Sequence, residues 1–114
     1  MTEREWCERL WPELVAIARA GRTVTYQSLK EIVGFNAWQR TFSHCLGRIA
    51  NYCHLKGWPV ITVMVVNKVT GIPGKGIPFV DNLDAEQGRV RTFPWHDHVA
   101  PVAEEFPESA CLTS

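Results

Sequence analysis

The sequence has no apolar run approaching the roughly 20 residues that cross a bilayer as a helix. Its first ten residues, MTEREWCERL, are charged throughout and contain no apolar signal-peptide core. The four cysteines form no C-x-x-C pair, and no Gly-Lys-Ser/Thr ending of a phosphate-binding loop is present. These absences argue against a membrane protein, a disulfide framework and a P-loop nucleotide-binding protein. We therefore expect a cytoplasmic protein, with no membrane partner, whose cysteines are buried free thiols.

The composition that remains is that of an ordinary globular domain. Of the 114 residues, 46% are hydrophobic and 21% are charged, which suits a single core. The net charge is zero, and taken alone this argues against nucleic-acid binding. However, residues 14–80 carry eight bases and one acid, whereas residues 97–114 carry four acids and no base. The zero is therefore the sum of a strongly basic middle and acidic flanks.

Hydrophobic periodicity predicts two helices in the first third of the chain. The first covers roughly residues 3–20, and Pro12 either starts a second helical piece or kinks a continuous helix. Residues 23–25 are β-branched and predict one short strand. A second helix then covers residues 26–33, with Thr25 as its N-cap.

The third predicted helix has the clearest pattern. Asn36 and Gln39 fit a capping box at its start, and Gly57 supplies its stop. At about 100° per residue, one face of this helix is apolar and predicts the core. The apolar face comprises Trp38, Phe42, Cys45, Leu46, Ile49, Tyr52 and Cys53. The opposite face is a polar stripe of Arg40, His44, Arg48 and Asn51.

The second half of the chain predicts β structure. Residues 60–67 have the β-branched density of a buried strand, and residues 68–76 contain the three glycines and the proline of a turn. Residues 77–80 suit a returning edge strand, and residues 89–93 suit another short strand. The acidic, proline-containing end predicts an extended tail.

This order of elements is typical of a winged helix-turn-helix. We therefore predict an α+β fold with a single winged helix-turn-helix domain, built from three helices and a small antiparallel β-wing. The domain would cover residues 1–96, and an extended acidic C-terminal tail would cover residues 97–114. In such a domain the later helix enters the major groove of DNA and the wing follows the backbone.

Residues 21–34 read Gly-Arg-Thr-Val-Thr-Tyr-Gln-Ser-Leu-Lys-Glu-Ile-Val-Gly. This segment resembles the start of the DNA-binding domain of alkylguanine DNA alkyltransferases, G-x-x-[VI]-[ST]-Y-x-x-L-x-x-x-x-G. Continuing without a gap, Arg40 falls where that family has the arginine of its recognition helix. The resemblance implies a winged-helix architecture over roughly residues 6–76. It also implies that Tyr26 helps to rotate a nucleotide out of the duplex and that Arg40 fills the vacated space.

The sequence departs from that family at its nucleophile. The family's Pro-Cys-His-Arg motif aligns with residues 62–66, which places Met64 at the cysteine and Val65 at the histidine. A thioether has no acidic proton and cannot become the thiolate that dealkylation needs. Non-catalytic alkyltransferase-like relatives keep the His-Arg pair, which is also absent here. We therefore predict a protein that is not an enzyme.

The first functional hypothesis is that the third helix and the wing bind double-stranded DNA. Arginine contacts phosphate or guanine, asparagine contacts adenine, and wing residues would add backbone contacts. The predicted contact residues are Tyr26, Gln39, Arg40, His44, Arg48, Asn51, Asn67, Lys68 and Lys75. The alternative interpretation is a solvated helix face beside an ordinary turn.

The second hypothesis is a protein-interaction module, such as an inhibitor or adaptor in the conflict between phages and bacterial defence. Its predicted contact residues are Trp95, His96, His98 and Phe106. The acidic end would otherwise be a solubilising tail, or fold over the basic face as a nucleic-acid mimic. A third hypothesis, an enzyme using the two histidines around Asp97, has no nucleophile or third ligand in view.

No metal site and no cofactor are predicted. On the third helix, Cys45 and Cys53 face the core while His44 points away, so these side chains do not converge on one tetrahedral point.

Overall fold

A computed structural model describes residues 1–71 and 79–108 of the chain. Its α-helices are α1 (Glu3–Arg19), α2 (Tyr26–Val33), α3 (Gln39–Lys56) and α4 (Leu83–Thr92). Its strands are β1 (Val24–Thr25) and β2 (Val65–Val66), and short 3-10 helices lie at Ile61–Met64, Trp95–Asp97 and Ala103–Glu105. None of the helices in the described ranges is both long and apolar enough to cross a bilayer.

Helix α1 is continuous through Pro12, which settles the alternative that the sequence left open. Its start is a capping box: the Glu5 amide donates to the Thr2 hydroxyl at 3.1 Å, and the Thr2 amide donates to the Glu5 carboxylate at 2.7 Å. Its apolar face, spaced by three and four residues, is buried as predicted. The buried side chains are Trp6, Cys7, Leu10, Trp11, Leu14 and Ala18.

Helix α2 confirms the prediction at both ends. It covers Tyr26–Val33, and the Thr25 hydroxyl accepts a hydrogen bond from the Ser28 amide at 3.1 Å. Two buried residues, Leu29 and Val33, hold the helix against the core.

Helix α3 ends at Gly57 as predicted, but its predicted start is wrong. The N-cap is Trp38 and not Asn36, and no side chain accepts a hydrogen bond from the first turn. Gln39 is therefore the first helical residue and not the third. The capping-box pattern is present in the sequence only, because residues 35–38 are not helical and α3 begins three residues after Asn36.

The predicted antiparallel wing is wrong, and with it the winged α+β fold class. The described residues are mostly helical, and their two short strands pair in parallel, with Val24 opposite Val65 and Thr25 opposite Val66. The β-branched run after Pro59 forms a 3-10 turn, Ile61–Met64, before β2. Deep burial explains the error, because a short apolar run in the core has the same composition in a strand and in a helical turn.

Two other strands were predicted, at residues 77–80 and 89–93. Residues 89–93 were expected to form a strand, but residues up to Thr92 belong to helix α4, whose N-cap Asn82 accepts a hydrogen bond from the Ala85 amide at 3.0 Å. The predicted turn and returning strand fall largely on residues 72–78, outside the described residues. Phe79 and Val80, which are described, are not in a strand.

The core joins the four α-helices and includes Phe106, close to the end of the described residues. Helix α1 packs against α2, α3 and α4, and also against the 3-10 turn Ala103–Glu105. The tail was expected to be extended, but Phe106 is only 1% exposed and lies against Trp11 and Tyr52, with ring centroids 6.2 and 5.4 Å apart. Residues 103–108, named here the C-terminal strap, are therefore packed on the helices.

Replacing glycine by alanine is expected to have opposite effects on stability at Gly57 and at Gly88. Gly57 ends α3 with a φ of +73°, whereas Gly88 lies inside α4, and a Cβ would meet no atom within 4 Å at either position. Gly57→Ala should lower the free energy of unfolding by about 1 kcal/mol, because alanine is strained at positive φ. Gly88→Ala should raise it by about 0.5 to 1 kcal/mol through helix propensity. Urea unfolding measures both, and equal signs would contradict the assigned backbone.

Candidate nucleic-acid interface

The polar stripe of α3 is divided into two parts by its surroundings. At the start of the helix, Gln39 and Arg40 are exposed. Further along, His44, Arg48 and Asn51 are half-buried and bonded to other parts of the chain. The residues of the predicted stripe do lie on one face of α3. Only those at the start of the helix are accessible to a partner.

Arg48 has the most complete set of partners in this stripe. Its Nε donates to Glu3 Oε1 at 2.8 Å, and its Nη1 donates to the carbonyl of Pro107 at 3.0 Å. Its Nη2 lies 3.6 Å from the Glu108 carboxylate. With only 12% of its side chain exposed, Arg48 is an intramolecular anchor in this conformation.

His44 and Asn51 are bonded to the same two segments. The Nδ1 of His44 lies 3.2 Å from Glu3 Oε2, and Nδ2 of Asn51 donates to the carbonyl of Glu108 at 3.0 Å. Glu3, in the first turn of α1, thus bridges His44 and Arg48, whereas the strap bonds Arg48 and Asn51.

The pKa of the Glu3 carboxyl reflects this bridging. Partial burial acts to raise its pKa, but the hydrogen bonds and positive charges of Arg48 and His44 outweigh burial and lower it below the ordinary 4.5. Glu3 is therefore ionised at neutral pH and neutralises part of the predicted basic face.

The start of α3 is the open part of the interface. Trp38 was predicted on the core face, but its side chain is 83% exposed. It occupies the N-cap, where the backbone is extended, so the helical angle that would have turned it inward does not apply. Beside it is an open cavity of about 430 Å³ lined by Trp38, Gln39, Arg40 and Thr41.

Helix α2 borders this open part. Lys30 donates a hydrogen bond to Gln39, and its ammonium lies 5.2 Å from the centroid of the Phe42 ring. Tyr26 is half-buried, with its ring edge-on to Phe42 at 6.4 Å. The two residues that the family resemblance singled out, Tyr26 and Arg40, thus lie on adjoining helices, with Phe42 packed next to the first.

Of the three contact residues predicted in the wing, two lie in the described part of the chain. Asn67 is exposed, and its side-chain oxygen accepts hydrogen bonds from the amides of Val69 and Thr70 at 2.8 and 3.3 Å. This is a local turn interaction typical of asparagine. Lys68 is exposed. Lys75 lies outside the described residues.

Of the four residues of the protein-partner hypothesis, the two aromatic ones are buried and the two histidines are exposed. Trp95 is 2% exposed, and its indole nitrogen donates to the carbonyl of Val90 at 2.8 Å. Phe106 is in the core. His96 is exposed and lies 3.3 Å from Asp97, whereas the ring of His98 packs 4.5 Å from Trp58. In this conformation neither aromatic anchor presents a ring to a partner.

Met64 and Val65, which stand where the alkyltransferase family has its cysteine and histidine, are fully buried. They lie where the 3-10 turn meets β2, in the interior of the domain.

The described cysteines are buried free thiols, as expected. A hydrogen bond with Cys45 and burial both raise the pKa of Cys7, and burial raises the pKa of Cys53 to about 12. Neutral thiols of this kind are poor nucleophiles and poor metal ligands. Within residues 1–71 and 79–108, no three histidine, cysteine or acidic side chains are grouped to hold a metal ion.

Sequence reasoning missed Glu3, and it offered only as one alternative that the acidic end folds over the basic face; Glu3 and the strap together determine how much of the stripe is accessible. The only local signal was Phe106, a large aromatic residue within an otherwise polar acidic end. Such a residue indicates burial somewhere, but not against which helix.

Comparison with protein-family models, with curated proteins and with solved structures finds no match to this chain. The observations that bear on function are therefore the geometry of the site and the resemblance of residues 21–34.

Replacing Glu3 tests the bridge between α1 and α3. Glu3→Gln should lower the free energy of unfolding at pH 7 by about 1 to 2 kcal/mol, below the roughly 1.5 to 3 kcal/mol of hydrogen bonds to charged groups because the Glu3 side chain is partly exposed. Because folding lowers the pKa of Glu3, its contribution is present above about pH 4.5 and is lost as the pH falls through the lower, folded-state pKa. The difference between wild type and variant in urea unfolding should therefore shrink between pH 7 and pH 3.

The matched control is Glu8→Gln. Glu8 is exposed on the same helix and forms no ion pair within the described part of the chain. If Glu3→Gln changes the free energy of unfolding by the same amount as Glu8→Gln, or by an amount that does not vary with pH, the bridge does not form in solution.

Proposed function

We propose that this chain is a non-catalytic, alkyltransferase-like protein that binds double-stranded DNA through the start of α3. The observation that carries the proposal is the exposed pair Trp38 and Arg40 at a helix start that no side chain caps. An exposed tryptophan offers a large ring on which a base can stack, and an adjacent arginine suits an anionic partner.

The chemistry of this site matches a nucleic-acid backbone. The first amides of α3 have no side-chain acceptor, and the helix dipole gives this end a partial positive charge. Phosphate oxygens accept from such amides and from the guanidinium of Arg40. An indole at the same place can stack on a base that leaves the duplex.

The charge distribution and the family resemblance support the same site. Residues 14–80 carry an excess of seven positive charges, which supplies the electrostatic term that dominates DNA affinity. The resemblance implies roles for Tyr26 and Arg40 in extruding a nucleotide, and both residues belong to the α2–α3 region that borders the open cavity. Gln39 and Lys30 join these two helices.

The absence of catalysis is supported by Met64 and Val65. A buried thioether cannot accept an alkyl group by the thiolate route, and valine supplies no base. The proposed activity is therefore binding alone.

A protein partner is the rival proposal, because an exposed tryptophan beside an arginine also suits a protein interface. The two are separated by purification of the full chain from lysate with and without nuclease. A stoichiometric protein that survives nuclease treatment favours the rival, and nucleic acid alone favours DNA binding.

The direct test is binding of the full chain to a short fluorescent duplex, measured by anisotropy at several salt concentrations. Binding should weaken as salt rises, with a logarithmic slope of about −0.9 for each phosphate contact. Arg40→Ala should weaken binding about tenfold and reduce the slope by about 1, because one phosphate contact is lost. Trp38→Ala should weaken binding by about 1 kcal/mol or more and leave the slope unchanged, because stacking releases no counterion.

Arg91→Ala is the matched control. Arg91 is exposed on α4, which packs against α1 and the 3-10 turn Ile61–Met64 rather than against the start of α3. No binding at low salt, or equal losses for Arg40→Ala and Arg91→Ala, would refute the proposed interface.

A further inference from the structure

The C-terminal strap covers the part of the stripe that the proposed interface does not use. It contacts α3 through two hydrogen bonds, accepted by the carbonyls of Pro107 and Glu108, and through an ion pair of the Glu108 carboxylate with Arg48. It contacts α1 through Arg4, whose Nε donates to the carbonyl of Phe106 at 2.8 Å. All the strap atoms in these polar contacts are oxygens. Of the five nitrogen atoms that they contact, four are guanidinium nitrogens of Arg4 and Arg48 and the fifth is the amide nitrogen of Asn51.

The set of donors under the strap is typical of a phosphate-binding surface. Arg4, Arg48 and Asn51 all offer N–H groups, and Arg4 and Arg48 both approach the Glu108 carboxylate at 3.6 Å. A carboxylate shared by two arginines has the charge and the acceptor geometry of a backbone phosphate. The strap therefore occupies this surface with the same chemistry that DNA would present.

The strap is held unequally along its length. Phe106 is buried and anchors it, whereas the Glu108 side chain is 76% exposed. Ion pairs of exposed groups contribute little to stability. The last two described residues can consequently leave α3 while Phe106 stays in the core, and their departure alone frees Arg48 Nη1, Arg48 Nη2 and Asn51 Nδ2.

We propose that the end of the strap, Pro107 and Glu108, is an intramolecular competitor that DNA phosphates displace from Arg48 and Asn51. This inference rests on the proposed function and extends it, because displacement would lengthen the DNA contact from the start of α3 along the same face. Free DNA-binding protein would thus be partly self-inhibited. The loss of apparent affinity is set by how much of the population has the strap docked.

Glu108→Gln tests the competition without disturbing the core. It removes the carboxylate that two arginines share, so the docked form weakens and the affinity for a fluorescent duplex should rise about two- to fivefold, the fold-change of an exposed ion pair. Glu104→Gln is the matched control, since Glu104 is an exposed acid of the same strap that forms no ion pair in the described ranges. It makes the same change in net charge and should raise the affinity less.

A double-mutant cycle with Arg48→Gln separates competition from general charge. In the Arg48→Gln background the Glu108 carboxylate keeps only Arg4 as an ion-pair partner, so the extra gain of Glu108→Gln over Glu104→Gln should be smaller than in the wild-type background. DNA binding with equal gains for the two glutamate variants would overturn the strap proposal while leaving the DNA interface intact.

The failure of the proposed function has a different signature. If neither wild type nor Glu108→Gln binds duplex DNA at low salt, both proposals fall together. If wild type does not bind but Glu108→Gln does, the strap is a stronger inhibitor than expected and both proposals stand.

Discussion

The rest of the structure depends on the packing of Trp11 against four other aromatic rings. This side chain of α1 lies against Tyr52 of α3 at 5.6 Å, Trp95 at 5.8 Å and Phe106 at 6.2 Å, measured between ring centroids. Trp58, just after α3, adds a fourth ring at 6.4 Å. One residue therefore joins the first helix, the third helix and the end of the chain, and large aromatic rings supply much of the buried area of a core this small.

That aromatic packing has a direct consequence for the polar surface. Because Phe106 enters the core beside Tyr52, the residues that follow it are carried across α3 toward Arg48 and Asn51. The start of α1 brings Glu3 to the same place from the other side. The packing of apolar residues therefore decides which part of the polar stripe is covered. The start of α3 stays open because no segment of the described chain is carried across it.

Much of the helical framework was predictable from local patterns. The Thr25 cap and the bounds of α2 were predicted correctly, because a cap residue and the apolar spacing act within one or two turns. The strand predictions at residues 60–67 and 89–93 were wrong for a common reason. Strand formation needs a partner elsewhere in the chain, and β-branched or apolar composition does not say whether that partner is present. The only partner that β2 has among the described strands is β1, and that pairing is parallel.

The sequence by itself determined the approximate positions of three helices and the shared face of Arg40, His44, Arg48 and Asn51, and it places Met64 where the motif that it was compared with has a cysteine. These features follow from residue identity and from spacing along one helix. Only the tertiary structure decided that Trp38 is exposed and that Arg48 is covered. Accessibility depends on which distant segment packs against a surface, and here that segment is held by a core contact between residues almost a hundred positions apart in the chain.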